Sequence, residues 1–379
     1  MIDFDITKKW ILSSGLVVSN SENENLGGVH SYYDKKQQNY GFLYPEITGY
    51  FLSTLNFLNN IENNTKYVEL SKNSANWLMS IYEKYGGIIQ GIYDDNNQKK
   101  FVYSFDIGIC SNGILDCYKL TKEKKYLFFA QKLLSWITDE AIQNNGKIQS
   151  VKDLESDKFF EEKKYWYKQY GCLHLKTSMS YFKMYQLTKN ESDLALGKKI
   201  LDQYSLFQKN DGSFSLHENN SVIHIHSLCY ALEGLIFGYH ITKEKNYLKI
   251  CEDALKWCSS KIENDGSMQL WFNSSNPSSK TSYQVAQLIR LMILCDKATQ
   301  NNIFYNDVQK LFNFMKKLHI LNGPQKILGG FYEEFYKSFL KWKMRYNVNS
   351  WGTLFALQSI YFKENYDSLS FDKSVEYLF

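Results

Sequence analysis

The chain has 379 residues, 44% hydrophobic and 22% charged, with a formal net charge of +4 from 44 basic and 40 acidic side chains. That balance argues against a nucleic-acid binder, which concentrates basic charge, and the ordinary apolar fraction fits a globular protein. The seven Cys are scattered with no Cys-x-x-Cys pair, which argues against zinc ribbons and thioredoxin chemistry and favours a reducing, cytoplasmic setting.

The beginning of the chain lacks the basic, apolar and small-residue succession of a signal peptide. No uninterrupted apolar run is long enough for a membrane span. Aromatics reach 16%; they fill wide cores and also form platforms for sugars.

In chain order, the first strong element opens with Tyr-Pro-Glu-Ile-Thr-Gly-Tyr at 44–50. Its proline suits a first helical position. A charged-faced helix then runs through Tyr67 and Trp77. The same pattern returns at 118–136, 185–204 and 239–257: an aromatic, a Thr-Lys turn and a second helix. Tyr67 to Trp77, Tyr126 to Trp136, Leu194 to Tyr204 and Tyr247 to Trp257 are each ten residues apart. Ten residues is about three helical turns, so each pair shares a face. Val308 and Leu318 offer a weaker fifth instance.

A Gly-containing turn follows each of these helices, at 84–87, 144–147, 209–213 and 263–267, as expected where a helix ends in left-handed backbone. The preceding helix of each pair is apolar on most faces and reads as buried. Trp77 and Trp136 are 59 residues apart and only three prolines interrupt the chain. A period near 60 predicts about six hairpins. The expectation is all-α: one (α/α)6-type toroid over 1–379, with short β-hairpins or loops at one rim. The last outer position would be filled by the N-terminal segment or the C-terminus. Residues 151–170 break the period and read as a loop or lid.

In such a fold the inner helices begin at one end. Their starts are 44–50, 104–108, 174–178, 224–227, 280–284 and 346–351, the densest polar and aromatic clusters in the chain. Helix capping accounts for Pro45, Ser104, Asp106 and Thr281. It does not account for His224 with His226, nor for Lys176, Arg345 or Trp351. Converging helix N-termini favour an anionic ligand or a developing oxyanion.

His224, His226 and Tyr230 are candidate proton carriers, and Glu46 with Asp106 a candidate carboxyl pair. Lys176, Arg345 and Asn349 are candidate carboxylate binders. Tyr44, Tyr50, Tyr103, His174, Tyr283 and Trp351 complete the expected substrate-binding set. Glu233 reads as a buried structural acid. No metal or other cofactor is expected.

At these motifs the chain resembles a bacterial toroid family encoded among exopolysaccharide and lipopolysaccharide biosynthesis genes. The family's Tyr-Pro-Glu-Val-Thr-Gly-Tyr motif corresponds to Tyr44, Pro45, Glu46, Ile47, Thr48, Gly49 and Tyr50. Its Phe-Asp matches Phe105 and Asp106. A His start leading to Tyr and Gly-Leu matches His224 or His226, Tyr230, Gly234 and Leu235. A late Asn-Trp matches Asn349 and Trp351, with Ser350 between them.

The resemblance covers about residues 40–360 and implies the toroid fold and a surface-polysaccharide context. A saccharide is then the expected partner, alongside polysaccharide-assembly proteins. Related ring architectures occur in polysaccharide lyases, uronyl C5-epimerases, sugar 2-epimerases and glycosidases, so fold alone does not choose a reaction.

The leading expectation is proton abstraction beside a uronate carboxylate, as in a C5-epimerase or lyase, with a histidine base. Hydrolysis of a glycoside by Glu46 and Asp106 is the alternative. A non-catalytic glycan-binding or scaffold role is a third. The turn KNDGSF, preceded by Gln208, is similar to an isoprenoid-cyclase turn, but the acidic Asp-x-Asp-Asp cluster of that class is missing from the sequence.

Overall fold

A computed structural model describes residues 2–93, 98–339 and 341–379. Among these residues thirteen α-helices occur: α1 Phe4–Ser13, α2 Pro45–Glu62, α3 Thr65–Tyr85, α4 Ser104–Thr121, α5 Lys124–Trp136, α6 Ser178–Thr188, α7 Glu191–Ser205, α8 Ile225–Thr242, α9 Lys245–Ser259, α10 Ser282–Thr299, α11 Tyr305–Met315, α12 Ser350–Glu364 and α13 Phe371–Val375. No helix among them is long and apolar enough to cross a membrane.

The Thr-Lys repeat has a local cause. At the end of α8 the Thr242 hydroxyl donates to the Gly238 carbonyl at 2.8 Å and accepts from the Glu244 N–H at 3.1 Å. Lys243 then turns left-handed, with φ 59°, and its N–H closes on the Tyr239 carbonyl. Thr121–Lys122 and Thr188–Lys189 repeat the arrangement with φ 60° and 59°. A non-glycine residue in that conformation costs about 1 kcal/mol; the bonded turn offsets it, and each outer helix follows almost at once.

At the other end of the hairpins, Asp211 and Asp265 accept hydrogen bonds from the N–H groups of Ser213 and Ser267. Between them Gly212 and Gly266 stand at φ 89° and 81°. A Cβ on Gly212 would lie 2.5 Å from the Asp253 carbonyl oxygen in α9, and one on Gly266 would lie 2.0 Å from that of Lys310 in α11. Glycine is therefore required twice over, by conformation and by space.

The chain divides into two compact units. Unit 1 comprises Met1–Leu16, Ser31–Gly41 and Leu206–Glu376. Its buried helices α8, α10 and α12 pack side by side; α9 and α11 cover the first two, and α1 packs on α12. The outer position beside α12 is thus taken by the N-terminal helix, one of the two expected occupants. Strands β1 Tyr32–Asp34 and β2 Asn39–Tyr40 also belong to this unit.

Unit 2 comprises Val17–His30, Phe42–Ser205 and Tyr377–Phe379. Here α2, α4 and α6 form the buried row and α3, α5 and α7 the outer one. Its sheet is β3 Phe101–Tyr103, β4 Val151–Asp153 and β5 Lys158–Phe160, antiparallel in that order. The 151–170 segment therefore opens as a β-hairpin, followed by a 3-10 turn at Trp166–Lys168.

Unit 1 has the two-stranded pair β6 Ile223–His224 and β7 Trp271–Phe272, and β8 Ser279–Thr281, β9 Tyr332–Ser338 and β10 Lys341–Asn349. These last three join β1 and β2 in a five-stranded sheet of order β2-β1-β10-β9-β8.

Three local expectations need correction. The β9–β10 hairpin is longer than the short hairpins read from the sequence, because 346–349 continues a strand instead of starting a helix. Tyr103 is the cap residue of α4; Ser104 is already helical and its hydroxyl donates to the Gln149 carbonyl. Leu318 lies beyond the end of α11, so its spacing from Val308 marks no shared helix face.

Candidate functional site

In unit 2 the starts of α2 and α4 bring the two expected carboxyls together. Pro45 opens α2 and Tyr44 caps it in extended backbone, which places Glu46 in the first turn. Glu46 and Asp106 are 8% and 4% exposed. Burial raises the Glu46 carboxyl to about 7, against hydrogen bonds from Tyr44 and Tyr50 and the positive charge of Lys176. Asp106 is pushed well above the usual carboxylate range, first by burial and then by Glu46. Two carboxyls in one dry place do not both ionise at neutral pH.

The Tyr103 hydroxyl and Asp106 Oδ2 are buried without a hydrogen-bond partner among the described residues. Burial and the Asp106 charge push the Tyr103 phenol up. Lys176, in the 3-10 helix Cys172–Thr177, donates to the Phe379 main-chain oxygen at 2.8 Å and lies 4.7 Å over the Tyr50 ring. His174 packs against Phe105 and Tyr204, with Nε2 3.4 Å from the Ser150 hydroxyl.

In unit 1 the start of α8 carries the two histidines. His224 pairs with Trp271 across β6–β7 and caps α8 in extended backbone, while His226 lies in the first turn. The change from strand to helix brings the rings together: their centroids are 6.1 Å apart, nearly perpendicular. His224 lies against the Trp271 ring at 4.2 Å and its Nδ1 contacts the Ser227 hydroxyl at 2.8 Å. Burial, and then the neighbouring His226 and His217, hold its pKa well below that of a free imidazole.

His226 is flanked by Tyr230 at 4.2 Å and Tyr283 at 4.5 Å, and its Nδ1 meets Gln287 Oε1 at 2.5 Å. Trp351 lies 6.0 Å from Tyr283. Five expected residues, His224, His226, Tyr230, Tyr283 and Trp351, therefore form one aromatic-walled group.

Two expected binders have other visible duties. Asn349 caps α12, its Oδ1 accepting from the Gly352 N–H at 2.7 Å. Arg345 sits on β10 and donates to Glu334 at 2.8 Å, with Glu333 at 3.9 Å.

Three residues were missed. Glu333 adjoins Tyr283; burial, with the Glu334 charge adding to it, raises its carboxyl to about 7 against Arg345 and Asn347. Glu333 and its neighbour Glu334 both reach Arg345 Nε, at 3.9 Å and 2.8 Å. Trp271 supplies a wall, and Gln287 holds His226. Gln284, Gln287 and Arg290 recur every three residues along an otherwise apolar helix, a polar stripe that was legible as one face. No group of three or more His, Cys, Asp and Glu among the described residues is placed to hold a metal.

No protein-family model matches the chain, and no curated protein matches it. Solved structures do. Cellobiose 2-epimerase from Bacillus thermoamylovorans is similar at TM-score 0.78 and 12% identity, covering 93% of this chain and 97% of that one. A D-mannose isomerase is similar at TM-score 0.76 and 11% identity, over 97% and 96% of the two chains. An unsaturated glucuronyl hydrolase specific for heparin is similar at TM-score 0.70 and 11% identity, over 97% of each. At such identities the likeness concerns fold, and it gives the class expected from the sequence: an all-α array of helical hairpins of the (α/α)6 type.

Proposed function

We propose that this protein is a carbohydrate-active enzyme that moves a proton off and onto a carbon beside a carbonyl group, with His226 as the base. The observation that carries the reading is the pair of buried imidazoles walled by Trp271, Tyr230 and Tyr283. Aromatic faces suit the C–H faces of a sugar, and a neutral imidazole is a base of the right strength for neutral pH.

On an open-chain aldose, His226 takes the C2 proton. The C–H electron pair becomes the C1–C2 double bond, and the C1 carbonyl oxygen takes the negative charge. A proton returned to the opposite face of C2 gives the 2-epimer. A proton returned to C1, with the O2 proton passing to O1, gives the ketose. Electrons and atoms balance without a redox partner. Glu333, with a pKa of about 7, is a fitting proton donor beside Tyr283.

Cellobiose epimerisation and mannose isomerisation, named for two structural neighbours, both require this step, which supports the reading. Uronate C5 chemistry is the same step at another carbon. Arg345, the expected carboxylate binder in unit 1, is already paired with Glu334 at 2.8 Å, so a neutral sugar suits this group better. A place in surface-polysaccharide biosynthesis rests on the sequence motifs, Tyr44–Tyr50 above all, and a cytoplasmic setting on the scattered cysteines.

The test is deuterium uptake from heavy water into cellobiose, mannose and glucuronate, followed by proton NMR. The protein is expected to exchange the C2 proton of a neutral sugar, and His226→Ala to slow this by about 10²–10⁴-fold. Absence of exchange in all three sugars overturns the proposal.

One observation favours a second reading, glycoside hydrolysis: the Glu46–Asp106 pair, whose raised pKa values suit an acid catalyst. Release of free sugar from glycosides, lost in both Glu46→Gln and Asp106→Asn, would establish it.

A further inference from the structure

We infer that Gln287 is a positioning residue that fixes which nitrogen of His226 carries the proton, and that the buried Glu233–Arg290 pair dictates the orientation of Gln287. This rests on the reading of His226 as the base. Gln287, Glu233 and Arg290 are all completely buried, so their hydrogen bonds are shielded from bulk water.

The chain of constraints starts at Arg290, whose guanidinium only donates. It gives one hydrogen bond to Gln358 Oε1 at 2.6 Å and one to Glu233 Oε1 at 2.5 Å, and it lies 4.6 Å over the Phe355 ring. A buried charge needs such a counter-charge. Glu233 Oε1 also receives Gln287 Nε2 at 3.2 Å.

A carboxylate accepts and does not donate, so the amide must present its NH2 to Glu233. Turned the other way, it would set oxygen against oxygen. With the NH2 committed, Gln287 Oε1 faces His226 Nδ1 at 2.5 Å. An amide oxygen accepts only, so Nδ1 must carry hydrogen. In the neutral ring the lone pair then resides on Nε2, the nitrogen that receives a proton.

An amide, unlike a carboxylate in direct contact, orients the ring without adding a full negative charge beside it. The groups facing His226 are consistent with that restraint: His224 and Tyr230 from α8 and its start, Tyr283 and Gln287 from α10, and Phe355 from α12. The single acid in the relay, Glu233, stands one amide away and is matched by Arg290. Outer residues of this kind typically change turnover 10–100-fold when they orient a reactive imidazole in a metal site, and a comparable effect is expected here.

The experiment is a long-range ¹H–¹⁵N correlation spectrum of the histidine rings at a pH of about 8, above the free imidazole value. The His226 signals are identified by their loss in His226→Gln. In the unmodified protein Nδ1 is expected to appear protonated and Nε2 bare. In Gln287→Met, which keeps the length of the side chain and removes the acceptor, the signals should move to the Nε2–H form or to a mixture. The kcat for C2 exchange should fall about 10–100-fold, with KM within about threefold.

An Nε2–H ring in the unmodified protein overturns the inference even if the variant does not fold. So does a Gln287→Met protein that keeps both the Nδ1–H ring and full kcat. The spectrum needs no substrate, which separates the two claims. An Nδ1–H ring with no exchange in any sugar defeats the enzyme reading alone. An Nε2–H ring in a protein whose exchange depends on His226 defeats the relay alone.

Discussion

The two units handle the same physical problem with opposite groups. At the start of α2 and α4, burial favours the protonated form of carboxyls that water would ionise. At the start of α8, burial strips the proton from an imidazole that water would partly charge. In both clusters the shift runs toward the neutral form, because a low-dielectric site disfavours charge of either sign. The chemical outcome differs: a carboxyl titrating at about 7 is present in both forms at neutral pH, whereas the His224 imidazole is neutral there. Under the proposed reaction the neighbouring imidazole, His226, is the base.

The sharpest way to break this comparison is to remove each group and measure C2 exchange. His226→Ala should cost about 10³-fold, or roughly 4 kcal/mol of transition-state stabilisation, while Glu46→Gln should change the rate by less than about threefold. The reverse ranking would move the chemistry to unit 2.

Stability against pH gives the next largest effect. Glu46, raised from 4.5 to about 7, binds its proton more tightly in the folded state, so stability falls as pH rises through that window. His224, lowered from 6.5, is protonated more readily in the unfolded chain, so stability falls as pH drops below about 6.5. Thermal melts of Glu46→Gln should match the parent near pH 5 and exceed it near pH 8 by about 1–3 kcal/mol.

Glu333→Gln should lower kcat/KM about tenfold, roughly 1.4 kcal/mol. A protonated Glu333 is present below its pKa of about 7, so the parent's rate should decline above pH 7 and the variant should lose that limb of the profile.

The smallest effect tests whether the scaffolds are equivalent where the sites are not. Lys122→Gly in unit 2 and Lys243→Gly in unit 1 occupy the same left-handed turn position. Each should raise stability by about 1 kcal/mol in denaturant titrations. Unequal gains would mean that the hairpin ends are not interchangeable.

The repeat was legible because its hydrogen bonds are local: Thr242 bonds Gly238 and Glu244, all within a few residues. The histidines and carboxyls were legible because helix starts that need only caps carried more chemistry than caps require. The duties of Arg345 and Lys176 were not, since their partners Glu334 and Phe379 come from elsewhere in the chain. Gln287 was overlooked for a related reason. The stripe of Gln284, Gln287 and Arg290 shows which face is polar, and the duty of Gln287 emerges only when Glu233 and His226 are seen on either side of it.

Gly212 and Gly266 seat their turns against the main chain of α9 and α11, which gives the following peptide a fixed point of departure. Between these turns and the buried helices that follow, residues 218–222 and 273–278 lie outside the strands and are mostly exposed. Lengthening such a stretch costs little, about 0.6 kcal/mol for each doubling. Insertions and deletions there are therefore expected to leave α8, α10 and the strands beside them where they are.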